Sequence, residues 1–127
     1  MENRFLCRGK RIDTGEWVEG FPFLVNDVSY ILPHHNTGQP IHIDNLLSTS
    51  VEVSKDTICQ CTGYEGIYEK DIFQCDDERY VIEWCDYSLG WEAQAIGSSE
   101  SISLGEFSPK EIDVIGNKID NSELLEV

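Results

Sequence analysis

Positive charge is scarce in this chain: nine lysines and arginines stand against 24 aspartates and glutamates, leaving 127 residues at a formal net charge of -15. A field of that sign repels a phosphate backbone, so binding nucleic acid through a charge-neutralising surface is disfavoured. No apolar run approaches the ~20 residues a membrane span needs. The opening residues carry no signal-peptide core, which points to a cytoplasmic protein with no membrane association. Recognisable catalytic patterns are missing too. There is no Walker A loop, no Rossmann glycine fingerprint, no G-x-S-x-G elbow and no EF-hand spacing. No residue is assigned a catalytic, cofactor or metal role on these grounds, and a non-enzymatic function is expected.

The five cysteines are Cys7, Cys59, Cys61, Cys75 and Cys85. An odd number without an export signal fits thiols in a reducing compartment. Cys59 and Cys61 form a C-x-C pair whose side chains share one face of a strand. With His34, His35 or His42 they make a small zinc site conceivable, although zinc pairs usually show C-x2-4-C spacing. The alternative for these cysteines is a set of small, partly buried apolar side chains. His34 and His35 beside Asn36 read as a polar turn.

Charge is unevenly distributed. Residues 1–20 balance four acids with Arg4, Arg8, Lys10 and Arg11, whereas residues 64–127 hold sixteen acids against Lys70, Arg79, Lys110 and Lys118. A basic start on an acidic body keeps the chain soluble and permits head-to-tail self-association or capture of a basic partner.

Turn residues recur about every ten positions, the rhythm of an all-β protein, and no window shows a persuasive helical stripe. Phe21, Phe23 and Val25 alternate before Asn26-Asp27, and Val28, Tyr30 and Leu32 alternate after it, which predicts a tight hairpin. Pro22 lacks a ladder donor, so its strand belongs at an edge or begins there. A second meander runs through 71–75, 79–85 and 89–95, with turns at Asp76-Asp77-Glu78 and Ser88-Leu89-Gly90. It places Tyr80, Ile82 and Trp84 on one face and forms the nucleus of an SH3-like partial barrel, bent at Gly90. Ser54 to Thr57 reads as one 3₁₀ turn or a loop. Ser108-Pro109-Lys110-Glu111 has the form of a capped helix start running quickly into a strand at Ile112 to Gly116. Gly97 to Glu106, rich in Ser and Gly, is expected to be a mobile loop. Trp91 and Tyr87, if exposed together, would mark a binding surface.

Three segments resemble the YopX family of phage and prophage proteins. Ile58-Cys59-Gln60-Cys61-Thr62-Gly63-Tyr64 followed by Ile67-Tyr68-Glu69-Lys70-Asp71-Ile72 is similar to its Q-Y-T-G-L, N-G hairpin, I-Y-E-G-D-I-V signature. Arg8 to Gly20 looks like its R-G-K-R-x-D-x-G-E-W-V-x-G start, and Val114 to Leu125 like its closing V-I-G-N-I-Y-D-N-P-E-L-L. Cys61 replaces a customary Tyr, Glu65-Gly66 a longer hairpin, Lys70 a Gly and Ser122 a Pro. The lost Gly suggests that position 70 does not need a positive φ. Physically the signature reads as a folding device, with Tyr68 and Ile72 packed inward and Asp71 accepting backbone N–H bonds. The resemblance implies a β-rich protein made in a bacterial host cell and brings no enzymatic activity.

The expected architecture is mainly β with little helix: two small packed units, residues 1–57 built on the hairpin and 58–127 forming the SH3-like half-barrel, together one cooperative domain. The Val114-Ile115 strand is expected to return toward the N-terminal unit. The leading functional expectation is a non-catalytic module binding a host or phage protein, with homo-oligomerisation open. The alternatives are an acidic mimic of nucleic acid that inhibits a DNA-binding protein, and the Cys59/Cys61 zinc protein.

Overall fold

The computed structural model describes residues 5–33 and 49–126. The fold is mainly β, with two five-stranded antiparallel sheets, and its described helical segments of three residues or more are short 3₁₀ turns. Among the described residues no helix is long and apolar enough to cross a membrane. The chain divides into two compact units, residues 1–63 and 64–127.

In the first unit, strands β1 (Cys7–Lys10), β2 (Trp17–Val25), β3 (Val28–Pro33), β4 (Val51–Glu52) and β5 (Cys59–Gln60) are ordered β4-β3-β2-β1-β5. The β2–β3 hairpin closes on Asn26 and Asp27, whose φ angles of 50° and 66° match the two positive values a type I′ turn demands. Phe23 and Tyr30, opposite each other, stack at 5.4 Å. The buried face of this hairpin is the other one, carrying Ile31 and Ser29. Strand β2 is central in order, yet pairing with β1 stops at Gly20. Among the described residues Pro22 therefore sits on a half-strand paired with β3 alone, and its missing N–H interrupts no ladder with β1 there. Strand β5 pairs with β1, and the Cys61 N–H donates to the Leu6 carbonyl at 2.9 Å. These bonds hold residues 58–63 in the first unit, so the division falls later than the turn residues near 57 suggest. Lys55–Thr57 is the expected 3₁₀ turn. Its Thr57 Oγ1 accepts from the Lys10 N–H at 2.8 Å, which ties the turn to β1.

In the second unit, β6 (Asp71–Cys75), β7 (Glu78–Cys85), β8 (Gly90–Ala95), β9 (Ser101–Ser103) and β10 (Asp113–Asn117) are ordered β10-β6-β7-β8-β9. The sheet is open between its edges β10 and β9 and is not closed into a barrel. Asp76 and Asp77 (φ 51° and 70°) repeat the two-residue turn between β6 and β7. Tyr80, Ile82 and Trp84 share a face with Phe73, Ala95, Ala93 and Trp91, as their register requires. Phe107 packs edge-on against both Phe73 and Tyr80 (5.2 and 5.4 Å), and Leu104 and Ile112 complete the core.

Three expectations are corrected here. The Val114–Ile115 strand pairs with β6 of its own unit, with a register shift between Val114 and Gly116. That irregularity is in β10, whereas Gly90 simply closes the β7–β8 hairpin opposite Cys85. Gly97 to Glu106 is a loop only as far as Glu100: β9 (Ser101–Ser103) pairs with β8, and a 3₁₀ turn at Leu104–Glu106 drives Leu104 into the core. Serines obscured an apolar alternation of Ile102 and Leu104 that finds its partners only in the folded sheet. Ser108-Pro109-Lys110-Glu111 does start a 3₁₀ turn, and Glu111 Oε1 accepts from the Ser108 N–H at 2.8 Å.

Among the described glycines of the first unit, Gly20 has the closest backbone neighbour. A Cβ there would lie 2.0 Å from the Leu32 carbonyl oxygen and 2.9 Å from Ile31 Cγ2. Gly20→Ala is expected to destabilise by about 3 kcal/mol, the upper range for overpacking. A lowered urea midpoint, with amide exchange protection lost across β1–β3, is the measurement.

Candidate interaction surface

Two of the family-like segments meet in one polar knot. The Tyr68 carbonyl accepts from the Asp71 N–H at 3.1 Å, while the Tyr68 N–H donates to Asp71 Oδ2 at 2.8 Å. Asp71, Tyr68 and Ile72 are all buried. Between them Lys70 has φ 72°, the third position of a type II turn, where glycine is favoured. This corrects the expectation drawn from the missing Gly: the positive φ persists with a lysine in place. It is enforced from outside the turn, because the Lys70 N–H donates to the Ile82 carbonyl (2.7 Å) and the Lys70 carbonyl accepts from the Lys118 N–H (2.8 Å). Asn117 Oδ1 in turn accepts from the Ile119 and Asp120 N–H groups at 3.0 and 2.8 Å, and Asn121 Oδ1 accepts from the Asn117 N–H at 3.1 Å. The arrangement satisfies backbone groups.

The thiol pair of the zinc reading is buried in the first unit. Cys59 and Cys61 are at most 1% exposed, and the Cys59 thiol donates to the Thr57 carbonyl at 3.3 Å. His34, His35 and His42 lie outside the described residues. Among the described residues no group of three or more His, Cys, Asp or Glu is placed to hold a metal ion. Of the basic start, Arg4 lies outside the described residues, Arg8 and Lys10 sit over the Trp17 ring (4.6 and 5.5 Å to its centroid), and Arg11 pairs with Asp13 through both Nε and Nη2 at 2.9 Å.

The far end of the β7–β8 hairpin carries exposed apolar side chains, as do Phe5, Ile12 and Leu24 in the first unit. Tyr87 is 99% exposed, Leu89 76% and Trp84 45%. Trp91, half-buried, meets Trp84 edge-to-face at 5.1 Å, and the Trp84 Nε1–H donates to Asp86 Oδ1 at 2.9 Å. Register explains the exposure. The Trp84–Trp91 rung continues the core face beyond the Tyr80–Ala95 and Ile82–Ala93 rungs, and the core residues Leu104, Phe107 and Ile112 gather with those two buried rungs. On the opposite face Glu83 stands directly across from Glu92, a like-charge pairing that disfavours folding. Lys118 Nζ relieves one side, at 2.8 Å from Glu83. Leu89 holds a positive φ of 55°. The sequence identified Trp91 and Tyr87 as a conditional surface; Trp84 and Leu89 were missed as members, because the strand alternation assigns Trp84 inward.

Two thiols of this unit differ in acidity. The Ser88 hydroxyl, together with the N–H groups of Ser88 and Tyr87, hydrogen-bonds the Cys85 sulfur and holds its pKa below the ordinary thiol value. Desolvation, with the nearby charges of Asp76 and Glu111, pushes Cys75 up.

The family model described as YopX protein matches residues 26–126. The chain belongs to that family. The matched span takes in the 58–72 and 114–125 segments, while residues 8–20 precede it. No curated protein and no solved structure shows a significant match.

Lys70→Gly is expected to stabilise the chain by about 1 kcal/mol, since a left-handed φ costs an ordinary residue roughly that much. An increased denaturant midpoint at unchanged slope is the check. Cys85, the more acidic thiol, carries more thiolate at any pH below both pKa values. At pH ~8 iodoacetamide is expected to label Cys85 before Cys75 in native protein, and Ser88→Ala should slow Cys85, as read by peptide mass spectrometry.

Proposed function

We propose that this protein is a non-catalytic interaction module of phage or prophage origin, acting in the cytoplasm of a bacterial host on a protein partner with a basic face. The observation that carries this reading is the uncompensated acidity of the second unit. Its sixteen acids face four bases, and two of those bases are engaged internally. Arg79 donates through Nη1 and Nη2 to the Leu124 and Glu126 carbonyls (2.9 and 3.1 Å), and Lys118 pairs with Glu83. The remaining carboxylates project a negative field that accelerates encounter with a basic surface and repels acidic ones. The open sheet, with its polar groups used in backbone satisfaction, supports a role played by the outside of the molecule.

Affinity capture from bacterial lysate at low salt, with the captured set identified by mass spectrometry, tests this. The expected outcome is a small set of proteins with basic surfaces, released as salt rises from ~0.05 to ~0.5 M because exposed charges are then screened. Recovery restricted to proteins without a basic face would overturn the reading.

A further inference from the structure

The end of the β7–β8 hairpin combines exposed apolar side chains, a left-handed backbone position and opposed carboxylates. Tyr87 and Leu89 are almost wholly in solvent, and Trp84 is close to half exposed. Leu89 occupies a left-handed backbone position where glycine or asparagine would cost less. Glu83 and Glu92 are directly opposed across the strands, a like-charge pairing that Lys118 Nζ, 2.8 Å from Glu83, offsets on the Glu83 side. Between residues 83 and 92 the sequence has Glu83, Asp86 and Glu92 and no lysine, arginine or histidine. The end of the hairpin is therefore aromatic on one face, carboxylate-bearing on the other, and apolar at the tip.

We propose that this hairpin end is the seat of partner binding, and that its occupant is an arginine-bearing segment of a protein partner. The inference rests on the interaction-module reading above and adds the place and the chemistry. A guanidinium is suited to both faces: its plane stacks on exposed indole and phenol rings, and its N–H fork pairs with carboxylates. The molecule already uses this chemistry within its first unit, where Arg8 lies 4.6 Å from the centroid of Trp17. Lysine satisfies the carboxylates as a point charge but stacks less well, so an arginine segment is favoured over a lysine segment of equal charge. Aromatic anchors beside charged groups are also the usual composition of binding hot spots.

The test uses the full chain and two fluorescein-labelled peptides of about nine residues, one alternating arginine with serine and one alternating lysine with serine, with binding read by anisotropy at ~0.05 and ~0.15 M salt. The variants are Tyr87→Ser combined with Leu89→Asn, and separately Glu92→Gln. Tyr87 and Leu89 are solvent-exposed, and asparagine accepts the left-handed φ, so the double variant keeps the fold, checked by its melting temperature. The expected result is saturable binding of the arginine peptide, several-fold tighter than the lysine peptide, weakened about tenfold by the double variant and to a smaller degree by Glu92→Gln. Equal binding by wild type and double variant would overturn the assignment to the hairpin while leaving the basic-partner reading intact. No binding of either peptide at the lower salt would remove the basic-partner reading itself. Self-association of the unliganded chain that the double variant abolishes would make a second copy the occupant and overturn the arginine proposal.

Discussion

A buried carboxylate sets the geometry of the second unit. Asp71 has almost no solvent contact, and its Oδ2 accepts the Tyr68 N–H at 2.8 Å. Burying a polar side chain is costly unless hydrogen bonds replace its hydration. Its consequence is positional. The 68–71 turn is clamped, β6 starts from a fixed point, and Ile72 and Phe73, each fully buried, are delivered to opposite sides of the sheet. Strand side chains alternate with period two, so a one-residue slip at this start would exchange those sides along the whole of β6. The neighbouring Asn117 and Asn121 side chains do comparable work at the end of β10, satisfying backbone N–H groups after the strand turns away.

How much of this was visible in the residues depended on the range of the force involved. Asn26-Asp27 and the paired aspartates at 76 and 77 declare hairpins because both central residues of the turn must tolerate a positive φ, a requirement satisfied within the turn. Ser108-Pro109-Lys110-Glu111 was legible for the same reason: its capping bond spans three residues. Position 70 was not. Its left-handed backbone is imposed by hydrogen bonds to Ile82 and Lys118, which belong to other strands and turns, so the side chain's preference was a poor guide. The 97–106 segment failed similarly. Its serines advertise a loop, but Ile102 opposite Ala93 and Leu104 in the core gain burial that only a completed β8 can offer. The partner of β10 was also a tertiary matter, decided by β6 rather than by anything in the Val114-Ile115 dipeptide.

The candidate surface lies between these cases. Residue type announced that Trp84, Tyr87 and Trp91 carry large apolar area, and alternation placed Trp84 and Trp91 on the core face, where their register does put them. What alternation cannot express is how far along a sheet the covering segment reaches. Leu104, Phe107 and Ile112 pack with the rungs through Ile82 and Ala93, and the next rung, identical in kind, emerges into solvent. An inward-facing position became a surface position without any change in strand pattern.

That exposure bears on the meaning of the acidity. An apolar patch on a neutral protein invites non-specific association, whereas a large net charge of one sign keeps copies apart. With a net charge of -15, two molecules approaching tip to tip meet strong repulsion before the rings of Trp84 and Tyr87 can touch. Under the proposed reading, the same field would attract a surface of opposite sign toward those rings. Solubility and selectivity are therefore not competing explanations of the carboxylates. On that reading, the charge that disfavours contact between copies through their aromatic surface would also select, by sign, the surfaces that approach it.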